Sequence, residues 1–440
     1  MEDKFYWRGI LDQAGDGQGL SFAASPTIAN GRWSALNSLV GDAVDRRLLS
    51  GGVTLIWHRG QLAHASAIGR EDVADGKPME KDTLFRLFSM TKPITAAAMM
   101  ILWDEGKWTP SDTVAQHLPE LSDLKVFRGT GNDRDAGFDA ISVLPTLEHL
   151  MTHQVGFSYG FTDDLVDHAF REARVPGIPH AITAEDYLAR LAKVPLAFQP
   201  GTGWRYSVAM DVQGIIIERL SGMRLRDFML ERIFEPLGMV DTDFFVPREK
   251  RGRVATLYAL DGENLIEVTP SIADIGDDHE TAMLPRGLVV PLDRLPELAS
   301  GGGGLVSTAA DYLRFGRMLL AKGELEGRRV LSRAAVRLMT RSHTPPHLLT
   351  GNFGTEPHRL RPGYEYAYNG VAITDPPAAD VRLGRDTYLW DGAAGSWFWV
   401  DPSNDLVLVC MVHLLADAER LSLQFRSRDI VADILACQRQ

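Results

Sequence analysis

The sequence predicts an α/β (α+β) protein: an antiparallel sheet made from both ends of the chain, flanked by helices, with a mainly helical insert between. Three observations carry this reading. Strand patterns stand early, at 53–57 and 62–68, and return late, from 364 to 412. Helix-period patterns lie between and around both groups. From 110 to about 222 the pattern turns to helices and loops with little strand signal. The division predicted is an irregular arm over 1–30, an α/β domain from 31–109 and 223–440, and an insert at 110–222.

The elements follow in order. Residues 32–49 read as a helix because Trp33, Leu36, Leu39, Val40, Val44 and Leu48 recur on one face. Ser50-Gly51-Gly52 stops it. Val53-Thr54-Leu55-Ile56-Trp57 is a strand pattern, Arg59-Gly60 a turn, and 62–68 the return strand of a hairpin. The next helix opens at Phe88-Ser89-Met90-Thr91-Lys92-Pro93 and runs to about Gly106 on an apolar body of Ile94, Ala97, Ala98, Ile101 and Leu102. Pro93 fixes its start, since a residue without N–H is tolerated only in a first helical turn. Within the insert, 128–140 is polar and glycine-bearing and reads as an exposed loop, while 147–153, 184–191 and 210–220 read as helices. Residues 248–296, rich in proline, glycine and acids, read as a long loop with a few short strands.

Ser300-Gly301-Gly302-Gly303-Gly304 then leads to a helix at 309–320, with Thr308 and Asp311 placed like a cap, and another helix at 333–339. Strand patterns follow at 364–371, 387–390, 396–400 and 406–412, and a closing helix at 415–436.

Composition narrows the function classes. A net charge of −12 over 440 residues disfavours nucleic acid as a partner, because phosphate binding needs a basic surface. Cys410 and Cys437 are too few for a disulfide scaffold or a thiolate metal site. The first residues lack the apolar core of a signal peptide, and nothing approaches the roughly 20 apolar residues of a membrane span. A cytoplasmic protein with no membrane partner is expected; its oligomeric state is open.

The chemistry centres on Ser89 and Lys92. Three residues apart on a helix, they share a face, so a hydroxyl and an amine meet. Serine becomes a nucleophile when a base takes its proton, and a desolvated lysine can do so. The spacing is common: Ser122-Asp123-Leu124-Lys125 repeats it in a polar, turn-like setting where the lysine stays charged and is no base. Ser89 heads an apolar helix instead, where burial lowers the amine's proton affinity. Taken alone, the pair is compatible with a structural role as well as a catalytic one.

Five stretches, in order, resemble one family. Phe88-Ser89-Met90-Thr91-Lys92-Pro93 resembles the S-x-x-K helix of the serine β-lactamase and penicillin-binding-protein superfamily. More closely it resembles the class C β-lactamase-like esterases, the family VIII carboxylesterases. His149-Leu150-Met151-Thr152-His153-Gln154-Val155-Gly156-Phe157 is similar to the family's H-L-L-T-H-T-S-G-L segment, and Trp204-Arg205-Tyr206-Ser207-Val208 to its second-motif tyrosine. The stretch 300–315 resembles its S-G-G-x-G-L-x-S-T-x-x-D-Y-x-x-F run, and Trp390-Asp391-Gly392-Ala393-Ala394-Gly395-Ser396 its third motif.

The resemblance implies a β-lactamase-like fold in which Tyr206 shares a proton with Lys92 beside Ser89. It also implies an oxyanion hole made by the N–H groups of Ser89 and Ala393, and substrate contacts from Trp390, Asp391, Gly392 and Val208. Phe157 to Tyr159, with Trp397 to Trp399, are candidates for an acyl pocket. Two departures stand out. Where β-lactamases carry Lys-Thr-Gly this chain has Trp390-Asp391-Gly392, losing a cation and adding an anion; where the second motif ends in asparagine it has Val208.

The resulting expectation is a serine carboxylesterase acting on small, neutral acyl esters through an acyl-enzyme. The rivals are an acyltransferase, a β-lactamase or D,D-peptidase, and a non-catalytic sensor of the same fold. His149 and His153 beside Glu148 have metal-ligand spacing but no H-E-x-x-H, and 301–304 lacks the Gly-Lys-Ser/Thr of a phosphate loop. No metal and no other cofactor is expected. No G-x-S-x-G elbow of an α/β-hydrolase occurs.

Overall fold

The computed structural model describes residues 33–129, 137–262, 264–269, 289–350, 360–415 and 423–437. The arm expected over 1–30 lies outside them. Early strands β1 (Gly51–His58), β2 (Gln61–Asp72) and β3 (Lys77–Pro78) join late strands β4 (Tyr364–Tyr366), β5 (Val371–Ile373), β6 (Thr387–Asp391), β7 (Trp397–Asp401) and β8 (Leu406–Val412). They form one eight-stranded sheet in the order β4-β5-β6-β7-β8-β1-β2-β3, antiparallel throughout. The two ends of the chain meet inside it: Val53 of β1 lies opposite Met411 of β8 on one side and Ala67 of β2 on the other. Arg59 and Gly60 turn the first hairpin with φ of 49° and 79°, the positive pair that a two-residue type I′ turn needs.

Five helices position the site: α1 (Ser34–Asp45), α2 (Thr91–Asp104), α3 (Ala209–Ser221), α4 (Ala309–Leu320) and α5 (Leu423–Cys437). Side-chain parity places α1 and α4 on opposite faces of the sheet. Gly52 and its partner Val412 meet Val40 of α1, whereas Val400 and Val407, of the other parity, meet Gly316 of α4. Covered on both faces, all seven residues of β8 are buried, which is why Leu-Val-Leu-Val-Cys-Met-Val runs apolar without alternation. Helix α5 packs on α1. Helix α2 is buried from Thr91 to Leu102, with α3 and the helix Arg333–Thr340 against it. An all-round apolar helix of this kind belongs in a core. One continuous core joins sheet and helices, taking in Ile56, Met99, Ile216, Phe315 and Leu408.

Several elements differ from the sequence expectation. The stretch 364–371 is a hairpin, β4 and β5, closed by Ala367 N–H donating to Gly370 O (2.8 Å) with Asn369 at φ 55°. The expected loop 128–140 is flanked by a two-stranded ladder, Lys125–Phe127 on Phe138–Ala140; 130–136 lies outside the described residues. The insert gains the helix Leu165–Glu172, whose cap is Asp164 accepting from Asp167 N–H. The closing helix is described over Leu423–Cys437, with 416–422 outside the described residues, and Leu414–Leu415 is a short strand parallel to Tyr258–Asp261. The short strands expected within 248–296 are present as the hairpin of Tyr258–Asp261 with Asn264–Glu267, after a 3₁₀ turn, Arg248–Arg253; 263 and 270–288 lie outside the described residues. The Thr308 cap forms, its Oγ1 accepting from Asp311 N–H (3.2 Å). No helix among the described residues is long and apolar enough to cross a membrane.

Candidate active site

Ser89 sits in a 3₁₀ turn, Phe88–Met90, just ahead of α2. Pro93 is the third residue of that helix, within its first turn as its missing N–H requires. Phe88 is buried at φ 45°, a conformation costing about 1–3 kcal/mol for a bulky residue. Packing with Ile178, Ala394 and Leu415 holds it there. The turn presents Ser89 half-buried, with Lys92 beneath it.

Lys92 is 1% exposed. Its Nζ lies 3.1 Å from Ser89 Oγ, 3.0 Å from Tyr159 Oη and 2.7 Å from the carbonyl of Gly302. Tyr206 Oη reaches Ser89 Oγ at 2.6 Å, and the lysine nitrogen stands 4.7 Å from the centre of the Tyr206 ring. Tyr206 lies on an irregular stretch that runs into α3. That stretch is clamped to the segment carrying Tyr159: Arg205 N–H donates to His153 O (3.0 Å) and Val208 N–H to Ser158 O (3.2 Å). Arg205 adds ion pairs to Asp164 and Asp167.

Electrostatics follow from burial. Desolvation pushes the Lys92 amine down to about 7, against the opposing pull of Asp211 and Asp391. Desolvation pushes the phenol of Tyr206 above its ordinary range, partly offset by its hydrogen bond to Ser89. Tyr159 is raised by the same cause, with Asp211 adding to it. Around neutrality, then, the amine is available as a base while both phenols keep their protons.

The third motif closes the site. Gly392, at the end of β6, lies against the backbone leading into Ser89: a Cβ there would stand 2.4 Å from Leu87 O. Only glycine lets the strand end approach this turn. Ala393 follows it, and among the described residues neither its N–H nor that of Ser89 donates a backbone hydrogen bond. Trp390 is buried, its ring 5.9 Å from that of Tyr206. Asp391 is half-buried and accepts from Gln424 Nε2 (3.0 Å).

Other predicted residues land elsewhere. Phe157 and Val208 are 2% and 0% exposed and belong to the main hydrophobic core. Trp397, Phe398 and Trp399 are buried in β7, with Phe398 packed on Tyr312 and Tyr388 in the sheet core. Ser122 and Lys125 are exposed, one in a turn and one in the ladder, with no shared helix face. The two histidines part company. His149 Nδ1 accepts from Thr146 N–H at a helix start, while His153 is buried against Trp204, Tyr206 and Tyr366.

Sequence reasoning missed three groups. Tyr159 was read only as pocket lining. Asp211 carried a signal, an acid amid the apolar face of Ala209, Met210, Val212 and Ile215. Gly302 is explained by close approach, since a Cβ would lie 2.6 Å from Asp211 Oδ2 and 2.8 Å from Tyr159 Oη.

Comparison with known proteins bears on the family and the fold. The Beta-lactamase family profile matches residues 36–432. A Mycobacterium tuberculosis protein is 36% identical over 380 residues, covering 86% of this chain and 88% of that protein. Esterase EstB of Burkholderia gladioli is 30% identical over 409 residues, covering 90% and 94%. Among solved structures, EstCE1, described as a hydrolase with promiscuous acyltransferase activity, superposes with a TM-score of 0.73 at 24% identity. The match covers 91% of this chain and 98% of that one.

Proposed function

The chain belongs to the beta-lactamase family, and from that premise we propose that it is a serine carboxylesterase of the family VIII kind. Its substrates are small, neutral acyl esters, cleaved through a covalent acyl-enzyme. One observation carries the reading: Ser89 Oγ is within hydrogen-bond reach of both a buried amine and a buried phenol.

Ser89 Oγ attacks the ester carbonyl and its proton passes to the neutral Lys92 amine. The N–H groups of Ser89 and Ala393 hold the oxyanion. The leaving alkoxide takes the Tyr206 proton, which leaves a phenolate beside the Lys92 ammonium. Water then attacks the acyl-enzyme, giving its proton to the phenolate. As the acid departs, the lysine ammonium returns a proton to Ser89 Oγ.

A buried Trp390 where a carboxylate-binding cation would stand, and Asp391 beside it, favour neutral esters over β-lactams or peptides. An alcohol replacing water would give acyl transfer, the reaction named for EstCE1. Adding methanol and measuring the product ester separates the two.

The test is turnover of p-nitrophenyl butyrate by the wild type, Ser89→Ala and Ser122→Ala. Hydrolysis should vanish in the first variant and persist in the second; hydrolysis that survives Ser89→Ala would refute the assignment. Nitrocefin should not be turned over.

A further inference from the structure

Asp211 is a buried acid that this acyl-transfer chemistry leaves unused. It stands in the first turn of α3, five residues after Tyr206, and is 1% exposed. Its Oδ1 accepts from Ser300 Oγ and from the N–H of Gly302 (3.0 Å). The carbonyl of the same Gly302 accepts from Lys92 Nζ (2.7 Å). One residue therefore bonds the acid through its N–H and the catalytic amine through its carbonyl. Oδ2 has no hydrogen-bond partner among the described residues. A Cβ at Gly302 would lie 2.6 Å from this oxygen and 2.8 Å from Tyr159 Oη, so both face the same glycine.

A carboxylate taken out of water with one oxygen unpaired is costly unless a cation compensates it. The groups acting on Asp211 are the Lys92 amine, the Ser300 hydroxyl and the phenols of Tyr159, Tyr187 and Tyr206. Of these only Lys92 can carry positive charge. Those acting on Lys92 are Asp211, Asp391, Tyr159, Tyr206 and the His153 ring, which burial keeps neutral.

We propose that Asp211 is a positioning residue for this reaction: through the Gly302 peptide it aims the Lys92 amine at Ser89, and its charge keeps that amine a strong enough base. The inference rests on the Ser89–Lys92 reading above. The physical logic is an opposition. Burial alone drives the amine's proton affinity far down, and a very weak base is a poor proton acceptor. A nearby anion restores part of that affinity, so the amine titrates close to neutrality, where a general base works best. Burial raises the Asp211 carboxyl in turn, while the Ser300 hydrogen bond and Lys92 oppose that rise.

The test uses Asp211→Asn and Ser300→Ala in the full chain. It reads kcat/KM for p-nitrophenyl butyrate from pH 4.5 to 9, with fluorophosphonate labelling of Ser89 at pH 9. At that pH the amine is neutral in every variant, so labelling reports an intact site. Asp211→Asn should move the acid limb down by about one pH unit, because the ammonium has lost its anion. Its plateau should fall roughly threefold to tenfold, because a weaker base remains. Ser300→Ala, which keeps the acid but removes a donor to its charged form, should move the limb the same way by less.

A purely structural role for Asp211 would lower the plateau and leave the limb in place, and that result overturns the inference. Should Asp211→Asn fail to fold, Ser300→Ala decides by the same criterion. A wild-type protein that is not labelled at Ser89 would instead overturn the acyl-enzyme reading itself.

Discussion

Replacing Gly392 by alanine should slow turnover while leaving substrate affinity nearly unchanged. The added methyl would lie 2.4 Å from Leu87 O, about 1 Å short of ordinary contact, and the obstacle is backbone. That carbonyl accepts from Met90 N–H (3.0 Å) in the turn that carries Ser89, so it cannot yield without moving the nucleophile. The strand end must shift instead, and Ala393 N–H shifts with it. Losing one aimed oxyanion donor costs about 10²–10³ in kcat, or roughly 3–4 kcal/mol of barrier. KM should change little, because the donor is aimed at charge that develops only in the transition state. The assay is steady-state hydrolysis of p-nitrophenyl butyrate, with a thermal melt to confirm that the fold survives. A folded Gly392→Ala protein with kcat within threefold of wild type would refute the proposed oxyanion hole.

The remaining predictions concern the proton path and the core. Because burial lowers the Lys92 amine, the neutral base accumulates as pH rises through about 7, so wild-type kcat/KM should climb between pH 6 and 8. With the Tyr206 phenol raised, no alkaline loss should begin below pH 9; a profile flat from pH 5 to 8 contradicts the assignment. Tyr206→Phe should lower kcat about 10²–10⁴-fold, the usual range for losing a general acid–base group, as measured by stopped-flow burst and steady state. Tyr159→Phe removes one of three partners of the lysine nitrogen and should cost about tenfold or less. Leu408→Ala, at a fully buried position in β8, should destabilise the protein by about 2–5 kcal/mol in urea unfolding, with the pH profile unchanged.

The fold was legible where pattern and environment coincide. The apolar run of β8 and the continuous apolar body of α2 read correctly because both are covered on every side. The hairpin β4–β5 did not read as two strands because Ala367 and Tyr368 continue the apolar, β-prone composition of the flanks, although Asn369-Gly370 beside them is a hairpin-turn signal. Leu415, expected to open the closing helix, lies instead in a strand, because apolar Leu414 and Leu415 fit a helix as well as the strand pairing that tertiary contact imposes on them.

At the site, spacing alone could not separate Ser89 from Ser122. What distinguishes them is burial, a property of the whole fold: Lys92 is enclosed, while Lys125 stands in water. Phe157 and Val208 are both buried, and for an apolar residue beside such a motif the sequence alone does not separate core from substrate wall. Asp211 was legible only as an oddity, an acid on an apolar helix face. Its link to Lys92 runs through Gly302, nearly a hundred positions away in the sequence, and no local pattern encodes it.

The central claim is that Ser89 forms a covalent acyl-enzyme with Lys92 as its base. Mass spectrometry of the protein quenched during p-nitrophenyl butyrate turnover, or after fluorophosphonate treatment, tests it most directly. A single adduct is expected on the peptide that contains Ser89, lost in Ser89→Ala and strongly slowed in Lys92→Met. An adduct on Ser122, or steady turnover with no adduct at Ser89, would contradict it.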